Sequence, residues 1–189
     1  MKENVKKKVK IAVISGVALI LIAAITLTVI LLLGNNLPKK VERSLTSAET
    51  ATVTVAVKDG ETYVYGFEKT MSFIEGGANV TTTTKKLNPN TFGLKEETLN
   101  EFVESATAKD SISLNLSEEI FSSVDKTGSE ISAIVSKEQA NAFFGVDNAG
   151  ANSDVTVKFV FERKELKSIQ IAYVLVSGKT VEMTATYTY

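Results

Sequence analysis

The chain has 189 residues and a formal net charge of −1, and it contains no cysteine and no histidine. Without cysteine there is no disulfide framework, thiolate metal site or lipid-accepting thiol, and without histidine the commonest metal ligand and general base is missing. The first ten residues carry five lysines against one glutamate, so the remainder is net −5. Because that acidic remainder also lacks tryptophan, we expect no nucleic acid partner.

Residues 11–33 form an uncharged, almost wholly apolar segment, from Ile11 to Leu33. A helix of that length spans roughly 34 Å, enough to cross a bilayer, and no small-x-small cleavage site follows it. We therefore predict a retained transmembrane helix rather than a cleaved signal peptide. The lysine-rich residues 1–10 then form a cytoplasmic tail, and residues 34–189 form one extracytoplasmic domain in a single-pass cell-membrane protein.

The first part of this domain predicts a helix followed by strands. Apolar spacing predicts a short amphipathic helix over residues 37–46. From residue 51 the period changes to two, and Asp59-Gly60 has the composition of a tight hairpin turn between two strands. The return strand starts at Tyr63 and ends at Phe67 or continues to Ile74, and a threonine-rich strand is expected over residues 79–84.

The middle of the domain carries a helical pattern. Leu99, Phe102, Val103 and Ala106 recur at i, i+3, i+4 and i+7, behind two glutamates that suit a first helical turn, so a helix is predicted there. Alternation over residues 112–116 then predicts a strand. Residues 117–121 fit either a helical turn or an extension of that strand.

The last part predicts four strands and one helix. Residues 131–135 alternate as a strand, and Ser136 begins a capping-box pattern before a helix over residues 137–144 that Gly145 ends. Three antiparallel strands are predicted over residues 155–161, 169–175 and 181–189. The predicted fold is therefore α+β, with an N-terminal transmembrane helix followed by a curved antiparallel sheet with short helices on one face.

No motif in the chain carries a catalytic or metal-binding pattern. An S-x-x-K pattern begins at Ser123 and a K-T-G pattern at Lys126, but both use that one lysine, so chance in a turn explains them. The oxygen-rich residues 147–154 lack the spacing and terminal glutamate of an EF-hand calcium loop. We predict no enzyme activity, no cofactor, and no catalytic or metal site.

The order of the elements resembles the half-barrel superfamily of bacterial lipoprotein carriers, the LolA-like and mycobacterial LprG-like proteins, together with related uncharacterised bacterial surface lipoproteins. The resemblance covers residues 37–189. It rests on the opening helix before Val53, on Phe143-Phe144-Gly145, and on the closing strands around Ile171-Ala172-Tyr173 and Tyr187-Thr188-Tyr189. It implies an acyl chain held between the sheet and the helices across it, and hence a lipid or lipoprotein ligand.

The aromatic residues have two interpretations. They line an apolar ligand cavity or, as in most domains of this size, they fill an ordinary core. The chain is therefore predicted to be a membrane-anchored extracytoplasmic module that binds a lipid, lipoprotein or other apolar ligand. The alternative is a structural or protein-interaction domain of a cell-envelope complex with a filled core. The candidate lining residues are Tyr63, Tyr65, Phe67, Phe73, Phe102, Phe143, Phe144, Phe159, Phe161 and Tyr173.

Overall fold

A computed structural model describes residues 37–88 and 90–189. Nine strands and two short α-helices make up most of this part of the chain. The elements in chain order are α1 (Leu37–Leu45), β1 (Thr50–Asp59), β2 (Thr62–Ile74), β3 (Gly77–Leu87), β4 (Leu94–Glu104), β5 (Phe121–Thr127), β6 (Glu130–Val135), α2 (Ala140–Phe144), β7 (Val155–Glu162), β8 (Glu165–Val174) and β9 (Thr180–Thr188).

All nine strands belong to one open antiparallel sheet, in the order β4-β3-β2-β1-β9-β8-β7-β6-β5. Strands β1 to β4 form one meander and β5 to β9 form a second, and pairing of β1 with β9 joins them. Opposite residues in neighbouring strands share a face, so Val53 lies beside Ala185, and Ala185 beside Ile169. This face, called the inner face below, carries the core.

Helix α1 and the connections between strands cover the inner face. Leu37, Val41 and Leu45 lie on one side of α1 and are buried against the sheet. Phe143, Phe159 and Leu166 are fully buried in the same cluster. Burying such a side chain stabilises the fold by about 1.5–3 kcal/mol, so these contacts fix the position of α1 on the sheet.

Most of the predicted elements are confirmed. The first helix, the hairpin at Gly60 with its longer return strand to Ile74, the helix ending at the left-handed Gly145, and the three closing strands are all present. A 3₁₀ turn at Glu118–Ile120 precedes β5, which decides between the two interpretations of residues 117–121 in favour of a helical turn. An antiparallel sheet with few helices is thus correct.

The helix predicted around Leu99 and Phe102 is wrong. Residues Leu94–Glu104 form β4, the edge strand, which pairs with β3 along its whole length. Apolar residues fall on both faces of this exposed strand, so a twofold period is absent and the spacing imitates a helix. The strand predicted over residues 112–116 is also wrong, because these residues pair with no strand among the described residues.

The tail over residues 1–10 and the transmembrane helix over residues 11–33 lie outside the described residues, and both remain predictions. In the part of the chain that the structure describes, neither helix has the length and apolar character of a membrane span.

Candidate functional site

Residues 106–117, called the strap, cross the inner face between β4 and β5. At one end, the 3₁₀ turn Ala108–Ser111 is tied to the sheet, because the hydroxyls of Ser111 and Tyr187 are hydrogen-bonded at 3.2 Å. At the other end, the Asn115 N–H donates to the Phe143 carbonyl at 2.8 Å. Residues 112–114 form no backbone hydrogen bond to any described residue. The middle of the strap is therefore held by side chains alone.

An apolar cleft of about 440 Å³, called the strap cleft, lies between the strap and the sheet. This volume falls within the roughly 300–1,000 Å³ that is usual for ligand pockets. Strands β1, β2, β8 and β9 form its floor, the strap forms one wall, and α2 with the loop after it forms the other. The main lining residues are Val53, Phe67, Met183, Tyr173, Ile112, Leu114, Phe144, Val146 and Ala149.

Two aromatic rings form one corner of the strap cleft. The ring centroids of Phe144 and Tyr173 are 5.3 Å apart, and Phe144 in turn packs edge-on against the buried Phe143 at 4.9 Å. Such contacts stabilise a defined ring orientation. Burial raises the pKa of the Tyr173 hydroxyl, which keeps this corner uncharged at neutral pH. The corner is thus a rigid, uncharged apolar wall.

Lys69 contributes the only charge among the residues that line the strap cleft. It is half-buried on the inner face, directly opposite Val53. Nearby Asp110 accepts hydrogen bonds from the Thr107 N–H and hydroxyl at 2.7 and 2.8 Å, and these bonds lower its pKa, with a smaller contribution from the charge of Lys69. The strap cleft is therefore apolar inside, with one cation in its lining.

A second cleft, called the helix cleft, lies on the other side of the strap and has a volume of about 470 Å³. It is bounded by α1, and it shares Ile112 and Leu114 with the strap cleft. The Ser117 hydroxyl in its lining is buried and has no hydrogen-bond partner in the described part of the chain. The strap thus contributes to the walls of both clefts, and its outward movement would bring them together.

The opposite, outer face of the sheet carries an open trough of about 620 Å³ over β6 to β9. Its side chains are mixed, with Ser132, Lys158 and Gln170 next to Ile134 and Ala172. No described element crosses it. None of the aromatic side chains predicted to line a ligand cavity reaches it, whereas three of them line the strap cleft, so the strap cleft is the better candidate site.

The structure brings three of the predicted lining residues into the strap cleft, namely Phe67, Phe144 and Tyr173. The others lie elsewhere. Phe143, Phe159 and Phe161 are buried in the filled core, and Phe73 packs beside it. Tyr65 lies on the inner face but is 41% exposed. Tyr63 covers Gly66 on the outer face, and Phe102 lies over Gly77 on that same face of the edge strand.

Sequence reasoning missed the strap, Met183, and the charge of Lys69. The alternation of Ile112, Leu114 and Leu116 was the available signal, since these side chains do turn toward the core while Ser113 and Asn115 are exposed. Alternation alone does not reveal that the segment crosses the sheet instead of joining it.

The oxygen-rich residues 147–154 serve local structure. The Asp154 carboxylate accepts a hydrogen bond from the Lys137 N–H, and the Asn141 side chain bonds the backbone of Asp147 and Ala149. Within residues 37–88 and 90–189, no three acidic side chains are grouped as metal ligands.

No protein-family model and no curated protein matches the chain. Among solved structures, LprF from Mycobacterium bovis aligns over 79% of this chain and 90% of its own, with 11% identity and a TM-score of 0.39. Two redesigned β-barrels align at TM-scores of 0.25 and 0.24. The first has 10% identity and covers 79% of this chain and 96% of its own, and the second, mFAP1 bound to DFHBI, has 9% identity and covers 78% and 98%. At these scores the likenesses assign no role to any residue of the clefts.

Proposed function

We propose that this chain is a membrane-anchored, extracytoplasmic, non-enzymatic module that binds the acyl chain of a lipid or lipoprotein in the strap cleft. The observation that carries the proposal is a mainly apolar cleft, bounded by the sheet, the strap and α2, that the chain's own side chains do not fill. Transfer of apolar surface from water into such a cleft is favourable by roughly 25 cal/mol per Å². The half-barrel arrangement implied by the resemblance would suit the same ligand.

The strap supplies a physical means of access. Because residues 112–114 are held only by side-chain contacts, the strap can rise without breaking the ladder of the sheet. The cost of exposing Ile112 and Leu114 is then repaid when an acyl chain takes their place against Phe67 and Tyr173. The hydrogen bonds of Ser111 and Asn115 would act as the two fixed ends.

The apolar residues 11–33 supply the anchoring part of the proposal. Only residues 34–36 separate this segment from α1, whose buried side chains are part of the domain core. A tether this short keeps the domain beside the membrane. Local binding or handover of a lipid fits such a protein better than shuttling.

A second candidate is a protein-interaction domain of an envelope complex, favoured by the exposed edge strand β4. Leu94, Leu99 and Phe102 are 49%, 60% and 51% exposed, and exposed apolar edge strands are places where another strand can add. The filled core around Phe159 is also compatible with this candidate.

The test compares two cleft-blocking variants of residues 37–189 in titrations with a fluorescent fatty acid, after native mass spectrometry for co-purifying lipid. Ala149→Trp places an indole in the strap cleft, whereas Ala172→Trp places one in the outer trough. We expect A149W to weaken binding by about tenfold or more, and A172W to leave it unchanged. Unfolding curves of both variants control for misfolding.

Two results would contradict the proposal. A lipid-free protein that does not bind the probe would leave the interaction domain as the better candidate. Probe binding that A172W abolishes and A149W preserves would instead assign the apolar ligand to the outer trough.

A further inference from the structure

Five cations surround a recess of about 500 Å³ between α1 and the turn that joins β7 to β8. Lys39, Lys40 and Arg43 come from α1, and Arg163 and Lys164 come from the turn. These residues define the basic recess. Glu165 is the one carboxylate in its lining, and its charge is already balanced by Lys167 at 2.7 Å.

The positive charge of the basic recess is local and uncompensated. Residues 11–189 are net −5, yet none of the five cations forms an ion pair with any carboxylate of the described residues. The Lys40 ammonium lies 3.6 Å from the centroid of the Phe161 ring, which holds it in place. Burial and then the charge of Lys126 lower the pKa of Lys40, so a nearby anion would relieve existing repulsion.

The turn that supplies two of the cations has an unfavourable sequence for its backbone. Arg163 and Lys164 have φ values of 49° and 78°, and both therefore lie in the left-handed region. Two-residue hairpin turns of this kind favour Asn-Gly, because bulkier side chains are strained there. Strain of this sort is retained where the side chains serve a function. An Asn-Gly turn would be unstrained but would lack the positive charges of Arg163 and Lys164.

The position of the basic recess indicates its partner. Residues 34–36 are all that separate the apolar segment ending at Leu33 from α1, and a chain of four residues reaches at most about 14 Å. If residues 11–33 span the membrane as proposed, the start of α1 beside the recess would lie within one or two Debye lengths of the membrane surface, roughly 8–10 Å each at moderate salt. The Asp59-Gly60 turn and the loop between β3 and β4 lie at the other end of the sheet.

We propose that the basic recess docks the domain on the anionic headgroups of the membrane in which the chain is anchored. This inference rests on the transmembrane segment of the proposed function. Each lysine or arginine beside an anionic membrane strengthens association about fivefold. Docking would fix the orientation of α1 on the bilayer, which a three-residue tether alone does not do.

The test follows hydrogen exchange of the full chain in nanodiscs made of phosphatidylcholine alone or of a mixture with phosphatidylglycerol. We expect exchange in residues 160–168 to be slower on the anionic discs. Exchange in residues 57–63, at the opposite end of the sheet, should be the same on both. The difference should disappear in about 1 M NaCl, where the Debye length falls to about 3 Å.

The decisive variant is R163N/K164G, since it removes two charges and also supplies the turn with its preferred residues. It should weaken docking about twenty-five-fold while its melting temperature stays equal or rises, so loss of docking would not be a folding defect. The matched control is K86Q/K137Q, which removes two exposed lysines at the opposite end of the sheet and should dock normally.

The outcomes separate this inference from the proposed anchor. Resistance of the full chain to alkaline carbonate extraction from phosphatidylcholine vesicles tests the anchor alone. If the chain is anchored but exchange of residues 160–168 is equal on both discs, docking is refuted and the anchor stands. If inorganic phosphate slows the same exchange on neutral discs while anionic discs without phosphate do not, the recess binds soluble anions and membrane docking is likewise refuted.

Discussion

Removal of one buried hydroxyl, Ser44→Ala, should loosen α1 from the sheet. The Ser44 hydroxyl accepts a hydrogen bond from the Leu166 N–H, and it lies 2.8 Å from the Tyr189 hydroxyl, which donates to the Leu166 carbonyl at 2.9 Å. Ser44 therefore donates to Tyr189, and the three residues close a ring in which every donor has an acceptor. The β7–β8 ladder shifts register next to this point. The Leu166 N–H therefore relies on the Ser44 hydroxyl as its hydrogen-bond acceptor.

The size of the effect follows from burial. Leu166 is 0% exposed and Ser44 is 6% exposed, so water does not replace the lost hydroxyl. An unsatisfied buried N–H costs about 1–3 kcal/mol. Alanine regains a few tenths of a kcal/mol through its higher helix propensity. We expect the free energy of unfolding to fall by about 1.5–2 kcal/mol, which is about 3–8 °C in melting temperature for a domain of this size.

Urea unfolding of residues 37–189, followed by far-UV circular dichroism, measures this loss. Ser47→Ala is the matched control, because Ser47 is an exposed residue just after α1 and its hydroxyl makes only a 3.4 Å contact with the Ser44 carbonyl. Its unfolding curve should overlay that of the unmodified protein. A stability loss of less than about 0.5 kcal/mol in S44A would refute the argument from the unsatisfied N–H.

Three further predictions concern the sheet. Burial raises the pKa of Tyr187 to about 12 from 10.0, so between these pH values only the unfolded chain has lost the proton, and stability should fall by about 1.4 kcal/mol per pH unit. Unfolding curves of Tyr187→Phe, measured at several pH values across this range, give its free energy of unfolding. That free energy should fall less steeply with pH than in the unmodified protein, by that amount. Gly66→Ala should cost about 1–3 kcal/mol in urea unfolding, because a Cβ there overlaps the Tyr63 hydroxyl and a backbone carbonyl. L99K/F102K should raise the aggregation temperature in light scattering and leave the free energy of unfolding within about 0.5 kcal/mol.

The closing meander could be predicted from sequence because its signal is local. Val155, Val157, Phe159 and Phe161 are buried in turn along β7, and polar or half-buried residues alternate with them. One face of this strand meets the core and the other meets solvent, so a twofold pattern is required. The same reason explains the successful prediction of β8 and β9.

Strand β4 could not be predicted in this way because neither of its faces is buried. All eleven of its residues are exposed, so burial imposes no alternation on the sequence. Its partner supplies the pattern instead, through cross-strand pairs such as Thr83–Thr98 at 3.1 Å, Thr81–Asn100 at 2.8 Å and Lys85–Glu96 at 3.3 Å. These contacts join residues that are 11 to 19 positions apart, and periodicity within one segment contains no information about them.

The candidate site was only partly predictable for a related reason. Aromatic composition identified Phe67, Phe144 and Tyr173, but it equally identified Phe159 and Phe161, which fill the core. Whether a ring lines a cleft or fills a core depends on which distant segment lies over it. Here the difference is made by the strap, whose path across the inner face depends on contacts with residues far away in sequence.

The two proposals are connected through α1. One side of this helix presents Lys39, Lys40 and Arg43 to the basic recess, and another presents Val41 and Leu45 to the helix cleft. A domain docked through the recess would therefore hold the helix cleft beside the bilayer. Ile112 and Leu114 line both this cleft and the strap cleft, and no backbone hydrogen bond to a described residue holds them in place. An acyl chain leaving the membrane would then pass α1 and lift the strap. Loss of docking in R163N/K164G should then slow lipid uptake from anionic bilayers without changing the affinity for a soluble fatty acid.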